Sequence, residues 1–277
     1  MPLPILRIIA LDLDGTTLNK AGEITEYTRD VLERAGAQGV HVVVSTGRSY
    51  RSLPEQAKSI GAIKYAITSN GAHINDIHTG EAIYSSLLSE KAVLRSAELA
   101  RELNTDIEIF IDGQAYIDAD YYRHIEKYGC EYRNAAYVLW SRKPIEDITG
   151  FLVANKDRIE NINFCFPSSE VLEESRAAVN AIPEATVTSS FANNLEVGGP
   201  TTSKRTALMA LMDMLGVIRE QLMCCGDAPN DIEMLEFAGF GVAVGTAWGG
   251  TAEHADYIPG TNDEDGVAHA IEKFVLK

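Results

Sequence analysis

Two aspartates one residue apart, in Asp12-Leu13-Asp14-Gly15-Thr16-Thr17, stand where an apolar run stops and a glycine lets the backbone turn away. One carboxylate of such a pair can act as a nucleophile while its neighbour gives and takes a proton, which divides a hard substitution into two easier ones. The run ahead, Ile8-Ile9-Ala10-Leu11, reads as a strand buried in a parallel sheet. Side chains at i and i+2 of a strand share a face, so both carboxylates should reach one small volume. Taken alone, the pair is equally two solvated acids at a strand end.

Three other clusters carry chemistry. Ser45-Thr46-Gly47-Arg48 offers a hydroxyl, a flexible N–H and a guanidinium, all donors to phosphate oxygens; a Ser or Thr cap opening a helix at Arg48 competes with that reading. Lys204, at the start of a helix expected over Thr206–Leu215, is either a solvated charge or the point charge that neutralises a phosphoryl group. Gly226-Asp227-Ala228-Pro229-Asn230-Asp231 sets acids on both sides of a tight turn. Asp231 could cap a helix Ile232–Ala238. The alternative is a site for a hard cation such as Mg²⁺, with Asp227 as a ligand and Asn230 and Asp231 orienting waters or Lys204.

The elements that must position these residues follow one pattern. Ile8–Leu11, Val40–Val44, Tyr65–Thr68, Leu222–Cys225 and Gly241–Val244 are apolar runs that each lead at once into small, polar or acidic residues. Helical segments such as Thr25–Ala37 lie between them. Alternating strands and helices predict an α/β fold with a doubly wound, mostly parallel Rossmann-like sheet, whose ligands bind at the carboxyl ends of the strands. The middle of the chain differs: a helix over Glu90–Leu103, then Asp106–Ile111 and Gln114–Asp118 joined by the hairpin signal Asp112-Gly113. A strand Asn161–Phe166, a helix Ser168–Ile182 and strands Thr186–Ser190 and Leu195–Val197 complete an α+β unit. Between them Ala119–Trp140 reads as helix then loop, with Tyr121, Tyr122, Tyr128, Tyr132 and Tyr137 as packing residues. The expected division is a discontinuous first domain, 1–84 and 192–277, with a second, α+β domain, 85–191, inserted into it.

A chain of 277 residues that is 45% hydrophobic and 23% charged can bury a sizeable core. Its formal net charge of -16 argues against nucleic acid and against anionic membranes as partners. The apolar run Leu3–Leu11 contains Arg7 and ends in Asp12, which fits neither a signal peptide nor a membrane span. A cytoplasmic protein is expected, as a monomer or weak homo-oligomer. Cys130, Cys165, Cys224 and Cys225 fall in no metal-ligand or redox spacing and read as buried thiols.

In this order and at these separations, the clusters resemble the haloacid dehalogenase-like superfamily of phosphatases, in particular its Cof-like members, whose type-IIB cap is inserted between the second and third motifs. The resemblance rests on Asp12-Leu13-Asp14-Gly15-Thr16, Thr46-Gly47-Arg48, Ser69-Asn70-Gly71-Ala72, Lys204, Gly226-Asp227-Ala228-Pro229-Asn230-Asp231 with Ile232-Glu233-Met234-Leu235, and the tail Glu264-Asp265-Gly266-Val267-Ala268. Two stretches depart from the family pattern. Gly198-Gly199-Pro200-Thr201-Thr202-Ser203 precedes Lys204 and Arg205 follows it, and Thr246-Ala247 stands where Asn-Ala is usual.

The resemblance implies a Mg²⁺-dependent phosphatase of small phosphorylated metabolites, above all sugar phosphates. Asp12 would attack phosphorus to give an aspartyl-phosphate; Asp14 would protonate the leaving alkoxide and then deprotonate water. Mg²⁺ would sit on Asp12, the Asp14 carbonyl and Asp227, with Asn230 and Asp231 beside it. Thr46, Gly47, Arg48 and Lys204 would bind the phosphate, and Asn70 and Gly71 would contact the leaving group. A phosphomutase using the same aspartyl chemistry and a non-catalytic phosphometabolite sensor are the alternatives. A P-loop is excluded, because Gly199-Pro200-Thr201-Thr202-Ser203-Lys204-Arg205 lacks the second glycine and the hydroxyl after the lysine.

Overall fold

The computed structural model describes residues 5–130 and 133–276, so Leu3 and Tyr132 lie outside the described residues. The chain divides into two compact units. The first comprises the described residues of Met1–Gly47, Leu53–Tyr84 and Ser203–Lys277, the second those of Arg48–Ser52 and Ser85–Thr202. In chain order the strands are β1 (Ile8–Leu11), β2 (His41–Ser45), β3 (Ile63–Thr68), β4 (His73–Asp76) and β5 (Ala82–Ser85). There follow β6 (Asp106–Ile111), β7 (Gln114–Asp118), β8 (Arg142–Ile145), β9 (Ile159–Cys165), β10 (Thr186–Thr188), β11 (Asn194–Gly198), β12 (Leu222–Gly226) and β13 (Phe240–Ala243). The helices are α1 (Glu26–Ala37), α2 (Glu55–Lys58), α3 (Glu90–Leu103), α4 (Ala119–Tyr128) and α5 (Ala135–Ser141), then α6 (Ile148–Ala154), α7 (Ser169–Asn180), α8 (Lys204–Leu215), α9 (Ile232–Phe237) and α10 (Gly266–Phe274).

The first unit is built on a sheet of order β13-β12-β1-β2-β3-β4-β5. Pairing is parallel from β13 to β3, and β4 returns antiparallel to β3. The chain runs outward from β1 to β2 and β3, then resumes on the other side of β1 as β12. That reversal opens a crevice at the carboxyl ends of β1 and β12, the place where open α/β sheets bind ligands. All four residues of β1 are buried, as expected of a strand covered on both faces. Ile8, Ala10, Val43 and Ile67 of the sheet pack with Leu208 and Leu211 of α8 and Met234 and Leu235 of α9. Helix α1 buries Thr28, Val31, Leu32 and Ala35, a stripe at helical spacing, and is capped by the Thr25 hydroxyl.

The second unit holds a sheet of order β10-β11-β9-β6-β7-β8, antiparallel except between β7 and β8. Its hairpin turns at Asp112 and Gly113, which take φ of 49° and 73°, the pair of positive values a two-residue turn needs. One sheet face is apolar: Ile107, Ile109, Ile162, Phe164, Leu195 and Val197 share a core with α3, α6 and α7. From the other face Glu108, fully buried, accepts two hydrogen bonds from Arg133 (2.6 and 3.0 Å), one from Arg142 (3.1 Å) and one from Asn163 (3.1 Å). Burial alone would raise that carboxyl; the two guanidinium groups outweigh it and hold it well below the usual carboxylate range.

Several expected bounds shift for identifiable reasons. Because β11 hydrogen-bonds to β9 and β10, the second unit runs on to Thr202, whereas the sequence alone puts the boundary at 191/192. The loop expected towards Trp140 is helical from Ala135 to Ser141, capped by Asn134. Tyr121, Tyr122 and Tyr137 pack on Ile117, Ile125 and Val138, but Tyr128, at the last turn of α4, is 67% exposed and stays outside that core, its ring centroid 4.9 Å from that of His124. Cys165, Cys224 and Cys225 are buried and Cys130 half-buried, all as free thiols, and burial raises the pKa of the first three. Among the described residues no helix is long and apolar enough to cross a membrane.

Candidate active site

The acids meet at the crevice between β1 and β12. Strand β1 stops at Leu11, so Asp12 and Asp14 are placed by a turn rather than by strand alternation: Asp12 is buried and Asp14 exposed. The turn winds on the Leu13 carbonyl, which accepts from the N–H groups of Thr16, Thr17 and Leu18 at 3.3, 3.0 and 2.8 Å. The Thr17 hydroxyl donates to the Asp12 carbonyl at 2.6 Å. Gly15, at φ 79°, lets Asp227 close in, since a Cβ there would stand 2.4 Å from Asp227 Oδ2. The Thr16 hydroxyl donates to the other oxygen, Oδ1, at 2.6 Å. Sequence reading treats Thr16 only as part of a motif; its position two residues from Asp14 does not reveal a partner 211 residues away.

Lys204 is the first residue of α8, two positions before the expected start, because the Ser203 side chain caps the helix at the Thr206 N–H. Its side chain is buried and its ammonium donates to Asp12 Oδ1 and to Asp231 Oδ1, both at 2.7 Å. Asp231 does not cap α9 through its side chain. Its second oxygen instead accepts from the N–H groups of Asp227 and Ala228 at 3.0 and 3.1 Å, so three donors share this carboxylate. Gly71, at φ 103°, backs onto the start of α8: a Cβ would lie 2.2 Å from the Ser203 carbonyl oxygen. Close backbone approach is therefore what requires glycine at this position.

Asn70 holds a left-handed conformation (φ 56°, ψ 27°) next to Ser69 at φ 51°. Two consecutive non-glycine residues in that region store strain, which concentrates at functional sites. Asn70 N–H donates to the Thr46 carbonyl at 3.1 Å, and the Asn230 amide donates to Asn70 Oδ1 at 2.9 Å. Gly47 lies under the same amide, 3.1 Å from Oδ1 to a Cβ built on it. Thr46 is buried at the end of β2, its N–H on the Ile67 carbonyl. Thr46, Gly47, Asn70 and Asn230 are thus linked to one another through main chain and amide contacts. Arg48 belongs to the second unit, where its guanidinium lies 4.2 Å from the Tyr137 ring centroid and donates to the Ser52 carbonyl at 3.1 Å. No helix begins at Arg48; a short 3₁₀ turn, Tyr50–Ser52, follows instead.

Electrostatically the group is short of positive charge. Burial pushes the Asp12 carboxyl up, Lys204 pulls it down, and Asp231, Asp227 and Asp14 push it up again, leaving it raised. Burial and Asp231 raise Asp227 to about 7. Burial would lower the Lys204 ammonium, but Asp12 and Asp231 outweigh it and hold it above its usual range. Carboxylate oxygens of Asp12, Asp227 and Asp231 lie within 4.8 Å of one another. An all-oxygen donor set with excess negative charge fits a hard divalent cation.

A family model described as haloacid dehalogenase-like hydrolase matches residues 9–271. The chain is 32% identical over 278 residues to 5-amino-6-(5-phospho-D-ribitylamino)uracil phosphatase YcsE of Bacillus subtilis, covering 98% of this chain and 96% of that protein. A solved haloacid dehalogenase-like hydrolase from B. subtilis superposes with a TM-score of 0.83 at 27% identity, over 98% of this chain and 100% of the other. The subclass IIB sugar phosphatase BT4131 shares the fold, with a TM-score of 0.80 at 21% identity over 97% and 98% of the two chains. The match spans both units, and this chain belongs to the haloacid dehalogenase-like hydrolases, as a phosphoric monoester hydrolase of that family.

Proposed function

We propose that this phosphoric monoester hydrolase acts on small phosphorylated metabolites, sugar and sugar-alcohol phosphates foremost, with Mg²⁺ and through a phosphorylated Asp12. The observation that carries the reading is the buried Asp12 carboxylate, held at 2.7 Å by a lysine that a second buried acid, Asp231, holds in turn. A nucleophile needs one orientation, and Lys204 supplies it while lowering the repulsion an incoming phosphate dianion would meet. An Asp12 oxygen attacks phosphorus, the bond from phosphorus to the ester oxygen breaks with its electron pair on that oxygen, and Asp14 delivers the proton. In the second half Asp14 takes a proton from water as the water oxygen attacks phosphorus, and the electron pair of the broken acyl-phosphate bond returns to Asp12. The exposure of Asp14 suits a group that must meet both leaving group and water.

Asp12, the main-chain carbonyl of Asp14 and Asp227 would hold Mg²⁺, which when bound supplies charge neutralisation at the phosphoryl oxygens. Asp231, with three protein donors already on its oxygens, is read as the residue that orients Lys204 and the 227–228 main chain. Asn230 is read as the support of Asn70. Thr46, Gly47 and Asn70 supply donors around the phosphate. The second unit is read as the inserted cap that selects among leaving groups. The preference for sugar-alcohol and sugar phosphates is supported by the activity named for YcsE, a phosphoribitylamino pyrimidine phosphatase.

The test is phosphate release from a panel of hexose, pentose and pentitol phosphates, nucleotides and the YcsE substrate, with Mg²⁺ or excess EDTA. Wild type should turn over pentitol or sugar esters with Mg²⁺ alone, and Asp12→Asn should be inactive. Acid-quenched wild type should yield a phosphorylated Asp12 peptide. Undiminished turnover by Asp12→Asn, or folded wild type that hydrolyses no ester on the panel, would overturn the proposal.

A further inference from the structure

The tail motif around Asp265 and the departure at Thr246 have no part in the chemistry above, yet both lead to the turn that carries Asp14. Within that turn the N–H groups of Thr16, Thr17 and Leu18 converge on the Leu13 carbonyl, while the carbonyls of Gly15 and Leu18 take side-chain donors from outside it. Gly15 O accepts from the Thr246 hydroxyl at 2.9 Å, and Leu18 O from the side-chain amide of Asn262 at 2.7 Å. One residue on from Asn262, Asp263 accepts the Lys20 N–H at 2.8 Å and pairs with the Lys20 ammonium at 2.9 Å. Asp265 Oδ1 accepts the hydroxyls of Thr25 and Thr28 at 2.5 and 2.9 Å. Residues 262, 263 and 265 thus engage residues 18, 20, and 25 with 28, in the same chain order, and Thr246 adds a point at residue 15.

The brace is itself stiff. Thr261 N–H and hydroxyl both donate to Glu264 Oε2 at 2.9 Å, and Asp265 takes φ 55°. Asn262 is 8% exposed, so the amide that holds Leu18 is screened from competing water. Phosphate-binding groups at Thr46 and Lys204 hang from other elements and are not held by these contacts.

We propose that Asn262 and Thr246 are positioning residues for the acid step: they fix the Asp12–Leu18 turn so that Asp14 meets the leaving oxygen. The proposal rests on the reading of Asp14 as the general acid, and general acid catalysis contributes about 10²- to 10⁴-fold. It matters only where the leaving oxygen needs a proton. A pentitol or sugar phosphate releases an alkoxide and depends on it, whereas p-nitrophenyl phosphate releases a stable phenolate and does not.

Single-turnover release of the leaving group, by rapid mixing with enzyme in excess, reads this step apart from hydrolysis of the intermediate. Asn262→Ala and the near-isosteric Thr246→Val should each slow release from the alkyl ester by about 10- to 100-fold while changing release from p-nitrophenyl phosphate by less than about 3-fold. Thr246→Ser, which restores the hydroxyl, should recover the alkyl rate. Asp14→Asn is the reference and should show the same selectivity, more strongly. If Asp14→Asn is selective but Asn262→Ala and Thr246→Val slow both esters equally or neither, the bracing role is wrong and the acid assignment stands. If Asp14→Asn itself spares the alkyl ester, the acid assignment falls and the bracing role with it. Thr246 is exposed, so its variants keep the test decisive should Asn262→Ala fold poorly.

Discussion

Asp231 shows how much one buried carboxylate can organise. It accepts from the Lys204 ammonium and from two main-chain N–H groups, and it is fully buried. Substitution by asparagine keeps the shape but turns one oxygen into a donor, which must then face either the ammonium or the two N–H groups. A donor buried against donors costs about 1–3 kcal/mol. Asp231→Asn is therefore expected to lose that much stability in urea unfolding and to lower kcat at least about tenfold, because Lys204 no longer holds Asp12 in one orientation. Full activity with unchanged stability would show that Asp231 does not orient the lysine. Glu108 in the second unit is the parallel case: its partners Arg133 and Arg142 stand 25 and 34 residues away, at no spacing a sequence pattern could reveal.

At the scale of elements, the start of α8 is fixed from outside as much as by its own cap. The turn after β3 presents Gly71 to the Ser203 carbonyl, and that contact sets where Lys204 begins. Gly71→Ala would add a Cβ 2.2 Å from that oxygen in a conformation, φ 103°, that side chains avoid. Strain of this kind costs on the order of 1–3 kcal/mol before the clash is counted. The expected outcome is a loss of at least about 2 kcal/mol in urea unfolding together with a fall in kcat, since relief of the clash moves Lys204. A variant with wild-type stability and rate would mean that the approach is not tight.

At the scale of the whole molecule, Asp227 makes a distinct pH-dependent contribution to stability. Asp227 is raised to about 7 by burial and by Asp231. An acid whose folded pKa is raised favours the native state while protonated, and the advantage is lost as pH rises from its unfolded value of about 4 to its folded one. Cation-free protein should therefore become less stable between about pH 4 and 7 on this account and change little above it. A divalent cation binds the ionised acids, so saturating Mg²⁺ should raise the melting temperature little at pH 5 and clearly at pH 8, relative to EDTA. Equal gains at both pH values would place the cation elsewhere.

By itself the sequence determined the main elements and their kind, though not the strands β4, β5 and β8 or the short helices α2, α5 and α6. Apolar runs ending in acids, helical stripes and an Asp-Gly turn are local signals, and Ile8–Leu11, Glu90–Leu103, Asp106–Ile111 and Gln114–Asp118 have in the structure the bounds the pattern predicts. The order and spacing of the acids likewise carried the family, because motifs at fixed strand ends survive without knowledge of their contacts. Tertiary structure alone decided which oxygens face which donors: that Lys204 lies between Asp12 and Asp231, that Thr16 reaches Asp227, and that Thr246 and Asn262 hold the turn bearing Asp14. It also joined β11 to the second sheet and gave Arg48 to Tyr137. These contacts join residues far apart in the chain, and a hydrogen bond depends on distance and angle in space, which residue order constrains only through the packing of the whole fold.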